Sequence, residues 1–243
     1  MNKKKAFAVL VAVFILSFVS CAYAWSLDWL KGKLNTASTT KLSDTQIGAG
    51  LKEALKVGIE NTIKQTSAQN GYLDNSVIKI LMPESMKNVD KVLRQVGLGP
   101  KIDEFVLSMN RAAEAAAPIA SNILAGAVTD MSFDDANKIL QGGNTAATDY
   151  FKQKTYTQLL DAFQPAVRKT MDSYVVTKKF QDIAGKAQTL PFISNFASGL
   201  DLNKYVSSKA LDGLFAVLGQ QEQKIRTDPA ARVTDLLKQV FGK

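Results

Sequence analysis

MNRAAEAAAPIASNILAGAVTDMSFDDANKILQGGNTAATDYF, residues 109–151, decides the fold class. Five alanines, Ala112, Ala113, Ala115, Ala116 and Ala117, favour helix and leave little side-chain volume, so a neighbouring helix can approach closely. Pro118 and Ser132 mark two further helix starts, and Gly142-Gly143 stops the second of these before Asn144 and Thr145 open another. The stretch therefore reads as three or four short helices in close contact. Polar groups interrupt the seam: Asn110 and Glu114 stand four apart on one face, and Arg111 lies three before Glu114, the spacing of an ion pair. Two readings of that group follow. It is either a solvated bridge whose neutralisation costs less than about 1 kcal/mol, or a polar site in a cleft.

Working upstream, residues 101–117 bring Ile102, Phe105, Val106 and Met109 against the alanines, which places this helix at the centre. Residues 84–96 carry Val89, Val92, Leu93 and Val96 on one face, with Gly97 as the stop. Val77-Ile78-Lys79-Ile80-Leu81, between the Asn70-Gly71 turn signal and Pro83, is β-like and predicts one short β-hairpin near 72–82. Ser43-Asp44-Thr45-Gln46 has capping-box spacing. Ile47, Leu51, Leu55, Ile59 and Ile63 then recur in steps of four, an amphipathic helix to about residue 69.

The amino terminus has a different composition. Lys3-Lys4-Lys5 followed by the apolar run 6–19 has the form of a secretory leader, and at 14 residues the run is short for a spanning helix. Two processing signals overlap at its end. Ala22-Tyr23-Ala24 is a small-x-small site for cleavage before Trp25, whereas Phe18-Val19-Ser20-Cys21 is a loose lipobox that would leave Cys21 lipidated. The expected division is a signal peptide over 1–24, a flexible tether over 25–42 and a single helical domain over 43–243. Removing the leader removes the only cysteine and lowers the formal charge from +8 to +5. The 219 residues that remain can bury a core without disulfides.

Downstream, residues 144–163 continue the helical pattern through Tyr150, Phe151, Leu159 and Leu160, and Pro165 predicts a break or a fresh helix start before Val167 and Met171. A weaker helix is expected over 178–188, followed by a loop through Pro191 and 194–199. Asp201 is a natural N-cap for the apolar stripe Leu202, Tyr205, Val206, Ala210, Leu214, Phe215 and Leu218. The chain then turns polar, with Glu222 four before Arg226, and Asp228-Pro229 launches a last helix through Leu236, Leu237, Val240 and Phe241.

Several blocks of this sequence occur together in one family. They are Gly50-Leu51-Lys52-Glu53-Ala54-Leu55, Met109-Asn110-Arg111-Ala112-Ala113-Glu114, Met131-Ser132-Phe133-Asp134-Asp135-Ala136 with Ile139-Leu140, and Ala146-Ala147-Thr148-Asp149-Tyr150-Phe151. Lys209-Ala210-Leu211-Asp212-Gly213-Leu214-Phe215 and Ile225-Arg226 with Asp228-Pro229-Ala230-Ala231-Arg232 complete the set. In these blocks the chain resembles the bacterial exported proteins of domain of unknown function 4197, over about 51–242. The resemblance implies an exported helical protein of one module and implies no activity.

The chemistry open to the chain is narrow. It has no histidine, which removes histidine general-base catalysis, Ser-His and Cys-His pairs and histidine zinc sites. Asp134 and Asp135 sit at a helix start, where acids favour the positive dipole end. Gly142, Gly143, Asn144 and Thr145 are candidates for anion binding, because glycine lets backbone amides approach a ligand at a helix start, with Asp149 and Tyr150 one turn on. Arg226 and Arg232 flank the Asp228-Pro229 turn and suit a phosphate or lipid headgroup, or a surface ion pair to Glu222. Lysines and arginines are spread along the chain, which argues against nucleic acid as a partner.

The expectation is one all-α domain of about nine or ten helices. It would be a periplasmic or secreted protein, or one lipid-anchored at the envelope, in peripheral contact with a membrane. Its expected role is to bind a lipid, a small anionic ligand or another envelope protein, without catalysis and without cofactor or metal. The alternative is a carboxylate-type, hydrolase-like enzyme using Glu114 with Asp134 or Asp135.

Overall fold

The computed structural model describes residues 44–173, 201–232 and 238 of the 243. The leader, Cys21, the tether, the 178–188 helix, the loop after it and most of the final helix lie outside the described residues. Within them the fold is all-helical: α1 (Asp44–Ser67), α2 (Lys87–Gln95), α3 (Gly99–Ala116), α4 (Ala120–Thr129), α5 (Phe133–Gln141), α6 (Ala146–Ser173) and α7 (Leu202–Thr227). Single 3-10 turns at Glu84–Met86, Ala117–Ile119 and Pro229–Ala231 join or end them.

The alanine seam is the centre. Ile102, Phe105, Met109, Ala112, Ala113 and Ala116 of α3 are wholly buried, and α3 lies against both α6 and α7, which also pack on each other. Helix α1 closes the remaining side by packing on α7 and α4. Close approach is needed at a second point as well. A Cβ on Gly213 of α7 would lie 2.7 Å from the ring of Tyr72, so only glycine lets that buried tyrosine cross the helix.

Two expectations fail for physical reasons. Pro165 does not break the chain, and α6 runs unbroken from Ala146–Ser173. Of its buried positions, Ala147, Phe151, Thr155, Leu159, Phe163, Val167 and Met171 form a four-residue repeat that continues on both sides of the proline. Burying that stripe offsets the lost backbone hydrogen bond, and Pro165 itself faces solvent. This merger accounts for part of the gap between the nine or ten helices expected and those observed among the described residues.

The second failure is the β-hairpin. Residues 68–83 form turns and irregular backbone, with no strand among the described residues. Ile78, Ile80 and Met82 are buried as a strand's inner face would be. The partner of the Ile80 backbone, however, is a side chain. Asn110 of α3 accepts from the Ile80 amide at 2.9 Å and donates to its carbonyl at 2.8 Å, as a neighbouring strand would. An extended segment can therefore be buried without a second strand.

Candidate functional site

The polar residues of α3 turn out to hold this irregular segment in place. Asn110 is fully buried and spends its second donor on the Val106 carbonyl at 2.8 Å. Glu114 accepts from Arg111 at 2.6 Å and, through its other oxygen, from the amides of Tyr72 at 3.2 Å and Leu73 at 3.5 Å. Arg111 also donates to the Asn70 side chain at 2.6 Å, where the backbone turns through a left-handed φ of 67°. From the far side Tyr72 donates its hydroxyl to the Ala210 carbonyl at 2.6 Å, and Tyr205 donates to the Leu81 carbonyl at 2.9 Å. The expected solvated ion pair is thus corrected: with side chains 18% and 6% exposed, Arg111 and Glu114 form a buried pair that takes up loop amides. Burial, and then the nearby Glu114 carboxylate, push the Tyr72 hydroxyl well above its ordinary pKa.

A second buried carboxylate repeats the device. Glu222 of α7 accepts from the Ala147 and Thr148 amides, both at 2.9 Å, and from the Thr148 hydroxyl at 2.8 Å. The free amides at the start of α6 are therefore occupied by the protein's own anion. Arg226 neutralises it at 2.8 Å and reaches the Ile139 carbonyl at the end of α5, also at 2.8 Å. Arg232 in turn donates to the carbonyls of Ile225 and Arg226.

Gly142, Gly143, Asn144 and Thr145 make the exposed link between α5 and α6. A Cβ on Gly142 would meet that of Ala146 at 2.5 Å, so the glycine serves the tight turn. Thr145 donates to Asp149 at 3.2 Å. Above Glu222, between α1, α6 and α7, lies a cavity of about 20 Å³, room for one water molecule.

One open concave feature lies between α4 and α6, and another, of about 580 Å³, lies along α6 at Asp161, Pro165 and Lys169. The α4–α6 groove has a volume of about 470 Å³ and is lined by Asn122, Asp130, Asp135, Tyr150, Lys154, Thr155 and Gln158 together with Ile123, Gly126 and Ala127. Asp135 completes a capping box: it accepts from the Ser132 amide and hydroxyl while its own amide donates to the Ser132 oxygen. Those side-chain and backbone bonds from Ser132 hold its carboxyl below the ordinary aspartate range, and Lys154 and Lys138 add to the effect. Tyr150 is half-buried, with its hydroxyl 3.4 Å from the Ala127 carbonyl and the Lys154 ammonium 5.9 Å from its ring centre. Burial, then the charges of Asp135 and Asp130, raise the Tyr150 pKa.

Of the expected site residues the groove brings together Asp135 and Tyr150. Asp134 is exposed at the start of α5, and Glu114 is enclosed by Arg111 and the 72–73 amides. No group of three His, Cys, Asp or Glu among the described residues can hold a metal ion.

Residues 41–242 match the family described as a protein of unknown function, DUF4197. The chain belongs to the DUF4197 family. No curated protein and no solved structure matches it. In this DUF4197 chain the Met109 to Glu114 block supplies one buried anchor, and the Ala146 to Phe151 and Ile225-Arg226 blocks meet at the other.

The Glu222–Arg226 pair expected at the surface forms, but it is buried, and its hold on the α6 amides escaped the sequence reading, as did the groove's other residues. A signal for the first was present. Glu222 continues the stripe of Leu211, Leu214, Leu218 and Ile225 along α7, and a carboxylate in phase with an apolar stripe calls for an internal partner.

Proposed function

We propose that this DUF4197 chain is an exported module of the cell envelope that holds a small polar ligand between α4 and α6 and does no covalent chemistry on it. The observation that carries the reading is the groove, an open concavity of about 470 Å³ with polar and apolar walls, within the range of small-molecule sites. The buried acids support a binding role over catalysis. Both oxygens of Glu114 and both of Glu222 are taken by arginine and backbone amides. For a carboxylate hydrolase, two acids must converge on one substrate. Of Glu114, Asp134 and Asp135, only Asp135 lines the groove, so neither expected pairing forms there, and the second carboxylate of the groove is Asp130.

Export rests on the Lys3-Lys4-Lys5 leader with its apolar run, and the mature protein is periplasmic or secreted, or held at the envelope by a lipidated Cys21. No helix among the described residues is long and apolar enough to cross a membrane. An anionic ligand suits the groove less well than the sequence suggested, because two carboxylates face one ammonium there. Native mass spectrometry of the protein purified from its own envelope tests the proposal. A co-purifying small molecule that is lost on Gly126→Leu, which fills the groove, is expected. A ligand-free protein, or a ligand retained by that variant, contradicts it.

A further inference from the structure

We infer that the α4–α6 groove takes a short neutral saccharide, an inference that rests on reading the groove as the binding site. Its walls exclude other classes first. Two carboxylates against one ammonium repel phosphates and fatty-acid headgroups, while Ile123 and Ala127 make the rest of the lining part apolar. A free amine would share the two carboxylates with the like charge of Lys154 already in the groove.

What remains is matched by polyhydroxylated rings. Each sugar hydroxyl both donates and accepts. Asp130 and Asp135 supply acceptors, Lys154 supplies donors, and Asn122 and Gln158 supply both from one planar group. The half-buried ring of Tyr150 offers an apolar face to the C–H side of a sugar, and Lys154, exposed on a flexible stem, can swing from that face to a hydroxyl.

An independent feature is Gly126. It sits within α4, where glycine is less favourable than alanine, and it lines the groove. A Cβ built on it meets nothing within 4 Å, so packing inside the protein does not require its absence. The missing side chain leaves a flat patch of backbone beside the groove, onto which a ring can lie.

The test is an amide-resolved NMR titration of the protein purified from its envelope with N,N′-diacetylchitobiose and with maltose, and with inorganic phosphate and spermidine as charged probes. The expected result is shifts at Gly126, Asp130, Tyr150 and Lys154 with at least one disaccharide at millimolar concentration. Gly126→Leu, where a Cβ meets nothing within 4 Å, and Gln158→Ala, at an exposed position, should weaken binding at least tenfold with the remaining amide spectrum unchanged. Absence of shifts with both disaccharides overturns the inference. If phosphate or spermidine alone moves these amides, the saccharide class fails while the groove stands as a binding site. If no probe moves them and no molecule co-purifies, both readings fall.

Discussion

At the scale of single residues, Glu114 shows how far a polar side chain can be read from its neighbours in sequence. Its spacing to Arg111 and Asn110 was visible, and so was their shared face. Hidden from the sequence was the segment they meet, because residues 70–80 have no periodicity and reach α3 from about 30 to 40 positions away. The consequence is energetic. A solvated pair would lose less than about 1 kcal/mol on neutralisation, but here Glu114→Gln strips the charge partner from an arginine with only 18% of its side chain exposed. Chemical denaturation should record a loss of about 2 to 4 kcal/mol, toward the range for breaking a buried pair. A loss below 1 kcal/mol would mean that water reaches the pair.

At the scale of elements, the helices that carry the alanine seam were the legible part, since periodicity and small side chains are local properties. Ala113 is wholly buried in α3, so Ala113→Leu forces extra atoms into a filled contact and should cost about 1 to 3 kcal/mol in denaturant unfolding. Pro165 was misread for the converse reason. Its local penalty is certain, whereas the seven-residue stripe that outweighs it is a property of the whole of α6. Pro165→Ala restores a backbone donor at an exposed position and should raise stability by about 1 to 3 kcal/mol. A thermal midpoint that falls in this variant would show that α6 needs the proline's distortion. The hairpin expectation failed in the same way: Ile80 pairs its backbone with the side-chain amide of Asn110, and the amides of Val77, Ile78 and Lys79 turn back on Asn75.

At the scale of the whole molecule, two arginine-neutralised carboxylates fasten residues 72–73 to α3 and the start of α6 to α7, and the alkaline limit of stability follows from three partly or fully buried tyrosines. Tyr72, Tyr150 and Tyr205 all have pKa values raised above the ordinary 10, each chiefly by burial. A raised folded pKa gives stability that is complete below the unfolded value and lost as pH rises through it. Helical circular dichroism should therefore collapse above about pH 10, together with the growth of phenolate absorbance from the buried tyrosine. Tyr72→Phe should move that collapse to higher pH. The central claim is that Asn110, Arg111 and Glu114 are consumed in fastening residues 70–82 to α3, and native-state hydrogen exchange of the Tyr72 and Ile80 amides tests it most directly. The prediction is exchange only through global unfolding, as slow as the core amides of α3, with Tyr72 released by Glu114→Gln. Exchange at the rate of an open loop, unchanged by that substitution, would contradict the claim and return these residues to the search for a ligand.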